Sequence, residues 1–147
     1  MLGDPLAIGL VSVAIIGTGF MTSSMRLAVS GAAIPATLLI GALLKLLFER
    51  ARPVTEYAMN MKIHTFSFPS GHSSGSTIAY GLLAYFALMK LPAPWNIVVG
   101  LMLAVVPIFV GLSRIYLGAH FPSDVVAGWI LGLAALVIVI LIIQPLL

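Results

Sequence analysis

The chain has 147 residues; 61% are hydrophobic and 7% are charged. A soluble domain carries about a quarter charged residues, so this composition excludes a water-soluble globular fold and points to a protein embedded in the lipid bilayer. The net charge of +3 forms no basic stripe, which argues against nucleic acid as a partner, and the lack of cysteine excludes disulfides and thiolate metal sites.

Five apolar runs follow in order, each near the roughly 20 residues that a spanning helix needs. They cover about 6–25, 34–52, 73–90, 95–112 and 123–143. The first ten residues contain Asp4 and no Lys or Arg, so a cleaved signal peptide is a poor reading. Pro53 stops the second run, and Pro107 predicts a kink in the fourth. Continuous rather than alternating hydrophobicity argues against strands. The expected fold is therefore all-α: a polytopic membrane bundle of about five transmembrane helices in a single domain, 1–147. No internal repeat or low-complexity linker interrupts it. Gly71-x-x-x-Gly75 and Gly128-x-x-x-Gly132 predict close helix packing within one chain.

Alternation of five helices puts the turns at Arg26 and Lys90 on one membrane face and the 53–71 and 113–124 loops on the other. The second face receives five of the seven cations, namely Lys45, Arg50, Arg52, Lys62 and Arg114. Counted simply, that bias makes it cytoplasmic. If those cations serve an anion they carry no topological information, and Arg26 and Lys90 then place the opposite face in the cytoplasm.

Three polar clusters meet on the cation-rich face. In "KLLFERARP", Lys45 and Arg52 are seven residues apart, so on one helix they project within about 20° of each other. Taken alone, they also fit two side chains snorkelling from a helix end, with Glu49 paired to Lys45. In "FPSGHSSG", Pro69 and Gly71 mark a turn into a helix whose first N–H groups attract anions, with Ser70 and His72 beside them. Taken alone, this is also a capping turn. In "SRIYLGAHFPSD", Arg114 ends one helix and Pro122 starts the next, while His120 and Asp124 stand four residues apart. A carboxylate on one ring nitrogen would fix the tautomer and leave the other nitrogen basic. Taken alone, this is an interfacial charge cluster. Ionisable groups at membrane depth are costly and usually functional. His72, His120 and Asp124 are conceivable metal ligands, but three nearby cations repel a metal and suit a phosphate.

These residues resemble the type 2 phosphatidic acid phosphatase family, which shares its site with the vanadium haloperoxidases. All three family motifs stand complete and in order: Lys45 through Arg52-Pro53; Pro69-Ser70-Gly71-His72; and Ser113-Arg114, His120 and Asp124. The motif core spans 45–124. Membrane members typically have six spanning helices, so the resemblance implies that the motif-free first helix is the one lacking here.

The resemblance implies a lipid phosphate phosphatase that needs no metal or other cofactor and forms a phosphohistidine. His120 would be the nucleophile, Asp124 would orient it, and His72 would protonate the leaving oxygen. Lys45, Arg52, Arg114, Ser70 and Gly71 would bind phosphate. The substrate would be a membrane lipid such as undecaprenyl diphosphate, phosphatidylglycerol phosphate or phosphatidate. No obligate protein partner is evident. The location would be a bacterial cytoplasmic membrane, with the site on the extracytoplasmic side. Two other readings are a vanadate-dependent haloperoxidase, whose known relatives are soluble, and a non-enzymatic anion-binding or transport protein. The 54–68 loop, with Glu56, Tyr57, Lys62 and His64, reads as a solvated interfacial loop that could also touch a head group.

Overall fold

The structure, a computed structural model, describes residues 2–60 and 65–144. The order of elements is α1 (Pro5–Met21), α2 (Met25–Phe48), α3 (Glu56–Met59), α4 (Gly71–Lys90), α5 (Trp95–Tyr116) and α6 (Pro122–Ile143). The fold is the all-α bundle expected from composition, with one short helix, α3, that the sequence did not announce. Helices α2, α5 and α6 are long and apolar enough to cross a membrane, and α1 is apolar but shorter. Their outer faces carry exposed Leu101, Met102 and Phe109 on α5 and Ile130, Leu133 and Ile138 on α6. In a bilayer those side chains meet lipid rather than water, so the protein is an integral membrane protein.

Helix α4 is the hub and packs against α1, α2, α5 and α6. Its first half, Ser73 to Tyr80, is wholly buried although it is rich in serine. The hydroxyls of Ser76 and Thr77 are satisfied by donating to the Ser73 carbonyl at 3.1 and 2.7 Å. Below them Ile78 and Leu82 join Ile8, Ile15, Ile34 and Val139 in the apolar core. Small residues let α6 lie on α4. A Cβ on Gly128 would stand 2.6 Å from the Ser70 carbonyl oxygen, and one on Gly132 would stand 2.7 Å from that of Ser74. This is the intrachain packing expected of that glycine pair. Gly71 differs: a Cβ there meets nothing within 4 Å.

Two boundaries depart from expectation. The segment 22–33, read as a link, is helical from Met25 onward. Its "SGAA" residues form an interhelix contact: Ser12 donates to the Gly31 carbonyl at 2.9 Å, and a Cβ on Gly31 would stand 2.9 Å from the Ile16 nitrogen. In a membrane, small residues of this kind are packing surface rather than loop. At its other end α2 stops at Phe48, not Arg52. Glu49 takes a left-handed conformation (φ 46°) and its N–H donates to the Lys45 carbonyl.

The contrast between the glycines is testable. Gly128→Ala should destabilise the protein by about 1–3 kcal/mol through overpacking, lowering Tm in detergent, while Gly71→Ala should leave Tm unchanged. Equal Tm for Gly128→Ala and the parent would show that α6 does not approach α4 this closely.

Candidate active site

The site lies where α2 ends, α4 and α6 begin, and α5 ends. Because α2 unwinds at Glu49, Lys45 and Arg52 do not share a helix face as the seven-residue spacing suggested. The extended chain after Glu49 carries Arg52 back to the same place, and the two charges still act on one another. The Lys45 ammonium donates to the Phe66 carbonyl at 2.8 Å and lies 3.4 Å from that of Ser67. It thereby ties α2 to the segment that leads into α4. An ammonium has three donors, so capacity remains for an anion. The Phe48 and Phe68 rings meet edge to face at 4.9 Å and hold the same junction.

Ser70 is fully buried and caps α4. Its hydroxyl oxygen lies 3.4 Å from the Ser73 N–H and 3.0 Å from the Ser73 hydroxyl. In the first turn, Ser70 takes the N–H groups of Ser73 and Ser74 and leaves those of Gly71 and His72, which have no acceptor within a helix. His72 follows, half-buried; Arg114 is the charge that acts on it most strongly, with Asp4, Arg52 and Lys45 behind. Asp4, which caps the start of α1 by accepting from the Leu6 N–H at 2.9 Å, was not singled out from the sequence.

Arg114 sits in the last turn of α5, only 5% exposed. Its carbonyl accepts the Ala119 N–H at 3.0 Å and the His120 N–H at 3.4 Å, so the end of α5 folds the loop that presents His120. His120 is 3% exposed and lies before α6 rather than on it. Burial, with the charges of Arg52 and Lys45 beside it, holds its imidazole down at about 4, against a smaller opposing pull from Asp124. The ring is therefore neutral at pH 7. Its Nε2 lies 3.4 Å from Arg52 Nη1. Its Nδ1 lies 3.5 Å from Asp124 Oδ2 but makes no hydrogen bond among the described residues. With Nε2 facing a cation, the proton belongs on Nδ1, toward the carboxylate.

Asp124 is completely buried, and its two oxygens are engaged elsewhere. Oδ1 accepts from Arg50 Nη1 at 2.7 Å and Oδ2 accepts the Phe121 N–H at 3.0 Å. Arg50 also donates to the Ser123 hydroxyl at 2.7 Å and lies over the Phe121 ring, 4.3 Å from its centroid. It is the residue that sequence reasoning missed. The sequence counts it among the cations of this face without giving it a role; because the chain unwinds at Glu49, it reaches α6.

Arg52 is held by its surroundings. Nε and Nη2 donate to the Thr65 carbonyl and hydroxyl at 2.8 and 2.9 Å, and Nη1 donates to the Ala119 carbonyl at 3.0 Å. Thr55, the cap of α3, donates to the Gly118 carbonyl at 2.9 Å. Gly118 has φ +67°, and a Cβ there would clash with Thr55. The described part of the 54–68 loop is thus fastened to the loop that carries His120. Beside Arg52 lies a cavity of about 400 Å³, walled by Val54, Ala58, Met59 and Phe66 among others. Glu56 and Tyr57 are exposed and do not line it. Lys62 and His64 lie outside the described residues.

The structure thus brings Lys45, Arg52, Ser70, Gly71, His72, Arg114, His120 and Asp124 to one end of the bundle. Among the described residues no three His, Cys, Asp or Glu side chains are gathered to hold a metal ion. What converges instead is positive charge, free helix N–H groups and a neutral imidazole.

Comparison with known proteins agrees with this picture. The profile of the PAP2 superfamily matches residues 24–146. Phosphatidylglycerophosphatase B of Bacillus subtilis is 40% identical over 97 residues, which cover 65% of this chain and 47% of that protein. Undecaprenyl-diphosphatase of Sulfolobus acidocaldarius is 36% identical over 99 residues, covering 65% of this chain and 44% of its own length. The chain therefore spans about half the length of these curated relatives. The crystal structure of a transmembrane PAP2-type phosphatidylglycerolphosphate phosphatase from Bacillus subtilis superposes with a TM-score of 0.83 at 31% identity, over 98% of this chain and 72% of that one. With the bundle matched over nearly its whole length and the profile covering all three motifs, the chain belongs to the PAP2 superfamily.

Proposed function

We propose that the protein is a metal-independent lipid phosphatase that works through a phosphohistidine on His120. The observation that carries this reading is the 3.4 Å approach of Arg52 Nη1 to His120 Nε2. A cation suited to phosphate stands beside an unprotonated imidazole nitrogen, so an oxygen bound by Arg52 brings phosphorus to the nucleophile.

Arg52, Arg114, Lys45, the Ser70 hydroxyl and the Gly71 N–H hold the phosphoryl oxygens and stabilise charge as it spreads over them in the transition state. The His120 Nε2 lone pair forms the N–P bond, and the P–O bond to the lipid breaks with its electron pair going to oxygen. His72 gives that oxygen a proton. Asp124, 3.5 Å from Nδ1, stabilises by its charge the positive ring that develops and accepts the Nδ1–H once the ring moves closer. Water then cleaves the N–P bond and regenerates His120. The cations around His72, His120 and Asp124 repel a metal ion, and the same cations favour a phosphate.

The substrate is a lipid phosphate, since the site sits at the ends of helices that cross the bilayer. Phosphatidylglycerol phosphate is the first lipid to test, because the Bacillus subtilis relatives are named for that activity; undecaprenyl diphosphate and phosphatidate follow. We place the site on the extracytoplasmic face of a bacterial cytoplasmic membrane. Once the cations at the site are set aside, the remaining two, Arg26 and Lys90, lie at the other ends of the helices.

Phosphate release from these three lipids in detergent and excess chelator tests the proposal. Release should persist in chelator and fall on the order of a thousandfold or more in His120→Ala. Release that requires added metal, or that survives His120→Ala, would overturn it. The role of His72 has its own signature. An alcohol is a poor leaving group and needs the acid, whereas a lipid phosphate leaving from a diphosphate needs it less. His72→Ala should cost on the order of a hundredfold on phosphatidate and distinctly less on undecaprenyl diphosphate; equal losses would remove His72 from the acid role.

A further inference from the structure

A wide cavity lies at the end opposite the site. It measures about 830 Å³ and opens between α1, α2, α4 and the end of α6. Small-molecule sites run from about 300 to 1,000 Å³. Its walls are apolar side chains such as Val11, Ile15, Leu83, Phe86 and Met89, and its lining includes both Arg26 and Lys90. From Gly71 to Lys90, α4 rises about 28 Å at 1.5 Å per residue, so this cavity is separate from the phosphate site.

The charge pattern at this end is one-sided. All four acidic side chains, Asp4, Glu49, Glu56 and Asp124, lie at or near the site end of the bundle. No acidic side chain therefore faces Arg26 or Lys90, and neither makes an ion pair among the described residues. Ser24, at the head of α2, makes no capping hydrogen bond, and the Tyr85 hydroxyl has no hydrogen-bond partner among the described residues; both line the cavity. Two unpaired cations and two available hydroxyls thus rim a deep apolar cleft at the level where the helices end.

We infer that this cavity binds an anionic phospholipid of the leaflet opposite the site, with one acyl chain in the cleft and the phosphate between Arg26 and Lys90. An apolar helix of a partner would fill the cleft but leave both cations without an anion. A lipid phosphate offsets them at the depth where head groups lie, the arrangement expected of basic pockets between membrane helices. The inference does not depend on the reaction at His120.

Native mass spectrometry of the full chain, delipidated in detergent and offered phosphatidylglycerol or phosphatidylcholine, tests it. One phosphatidylglycerol should be retained in preference to phosphatidylcholine. The double variant Arg26→Gln/Lys90→Gln should weaken that retention roughly thirtyfold, about fivefold per cation, whereas Phe109→Ala, on the exposed side of α5 and outside both the cavity and the site, should not. Where the double variant fails to fold, Lys90→Gln alone should give the fivefold loss. Equal retention of both lipids, retention unchanged in Lys90→Gln, displacement by millimolar inorganic phosphate, or a dimer that excludes lipid would each overturn the inference.

Discussion

The architecture depends on the contact between the first turns of α4 and α6. The Ser70 N–H donates to the Asp124 carbonyl at 2.9 Å, and Gly128 leaves the Ser70 carbonyl no room for a Cβ beside it. This backbone approach joins the second motif to the third. The first motif joins them by two more links: the Ser67 hydroxyl lies within hydrogen-bond distance of the carbonyls of Arg50 and Ala51, and Arg50 reaches Asp124. Segments far apart in the chain are thus pinned to one another at the end of the bundle where the three motifs meet.

Electrostatics gives that end its character. Lys45, Arg50 and Arg52 all act on one buried carboxylate, Asp124, and that carboxylate already serves Arg50 and the Phe121 N–H. The remaining positive charge is held close by backbone carbonyls rather than by acids, as with Lys45 on Phe66 and Arg52 on Thr65 and Ala119. Carbonyl partners fix these side chains without neutralising them, so the pocket keeps its attraction for an anion. Burial, aided by the same field, keeps His120 neutral, a condition for nucleophilic attack. An arriving phosphate would offset the cations, and the ring is then better able to carry positive charge as the N–P bond forms.

Much of this was legible in the sequence, because a membrane limits the alternatives. Long apolar runs with so little charge admit only helices, and Pro122 marks the start of α6 within a residue. The motif residues converge at one end of the bundle, although Lys45 and Arg52 do so across the break at Glu49 rather than on one helix face. What escaped had local physical causes. The "SGAA" stretch fell outside the second apolar run because Ser30 and Gly31 interrupt the hydrophobicity, yet in α2 they are the surface that Ser12 and Ile16 press against. The end of α2 was misplaced because Pro53 seemed to set it, whereas Glu49 breaks the helix earlier in a left-handed conformation. That error hid Arg50, whose reach to Asp124 no helical periodicity could reveal. The distribution of acids, all near one end, was present in the sequence from the start but gains meaning only once the cavity beside Arg26 and Lys90 is seen.

The central claim is that His120 bonds covalently to phosphorus. Rapid quenching in base of a reaction with lipid radiolabelled in the phosphate, followed by peptide mapping, tests it directly. The account predicts an acid-labile, base-stable label on the peptide that contains His120, present in the parent and in His72→Ala and absent in His120→Ala. A turning-over enzyme that never carries label on that peptide, or carries it on another residue, would contradict the account.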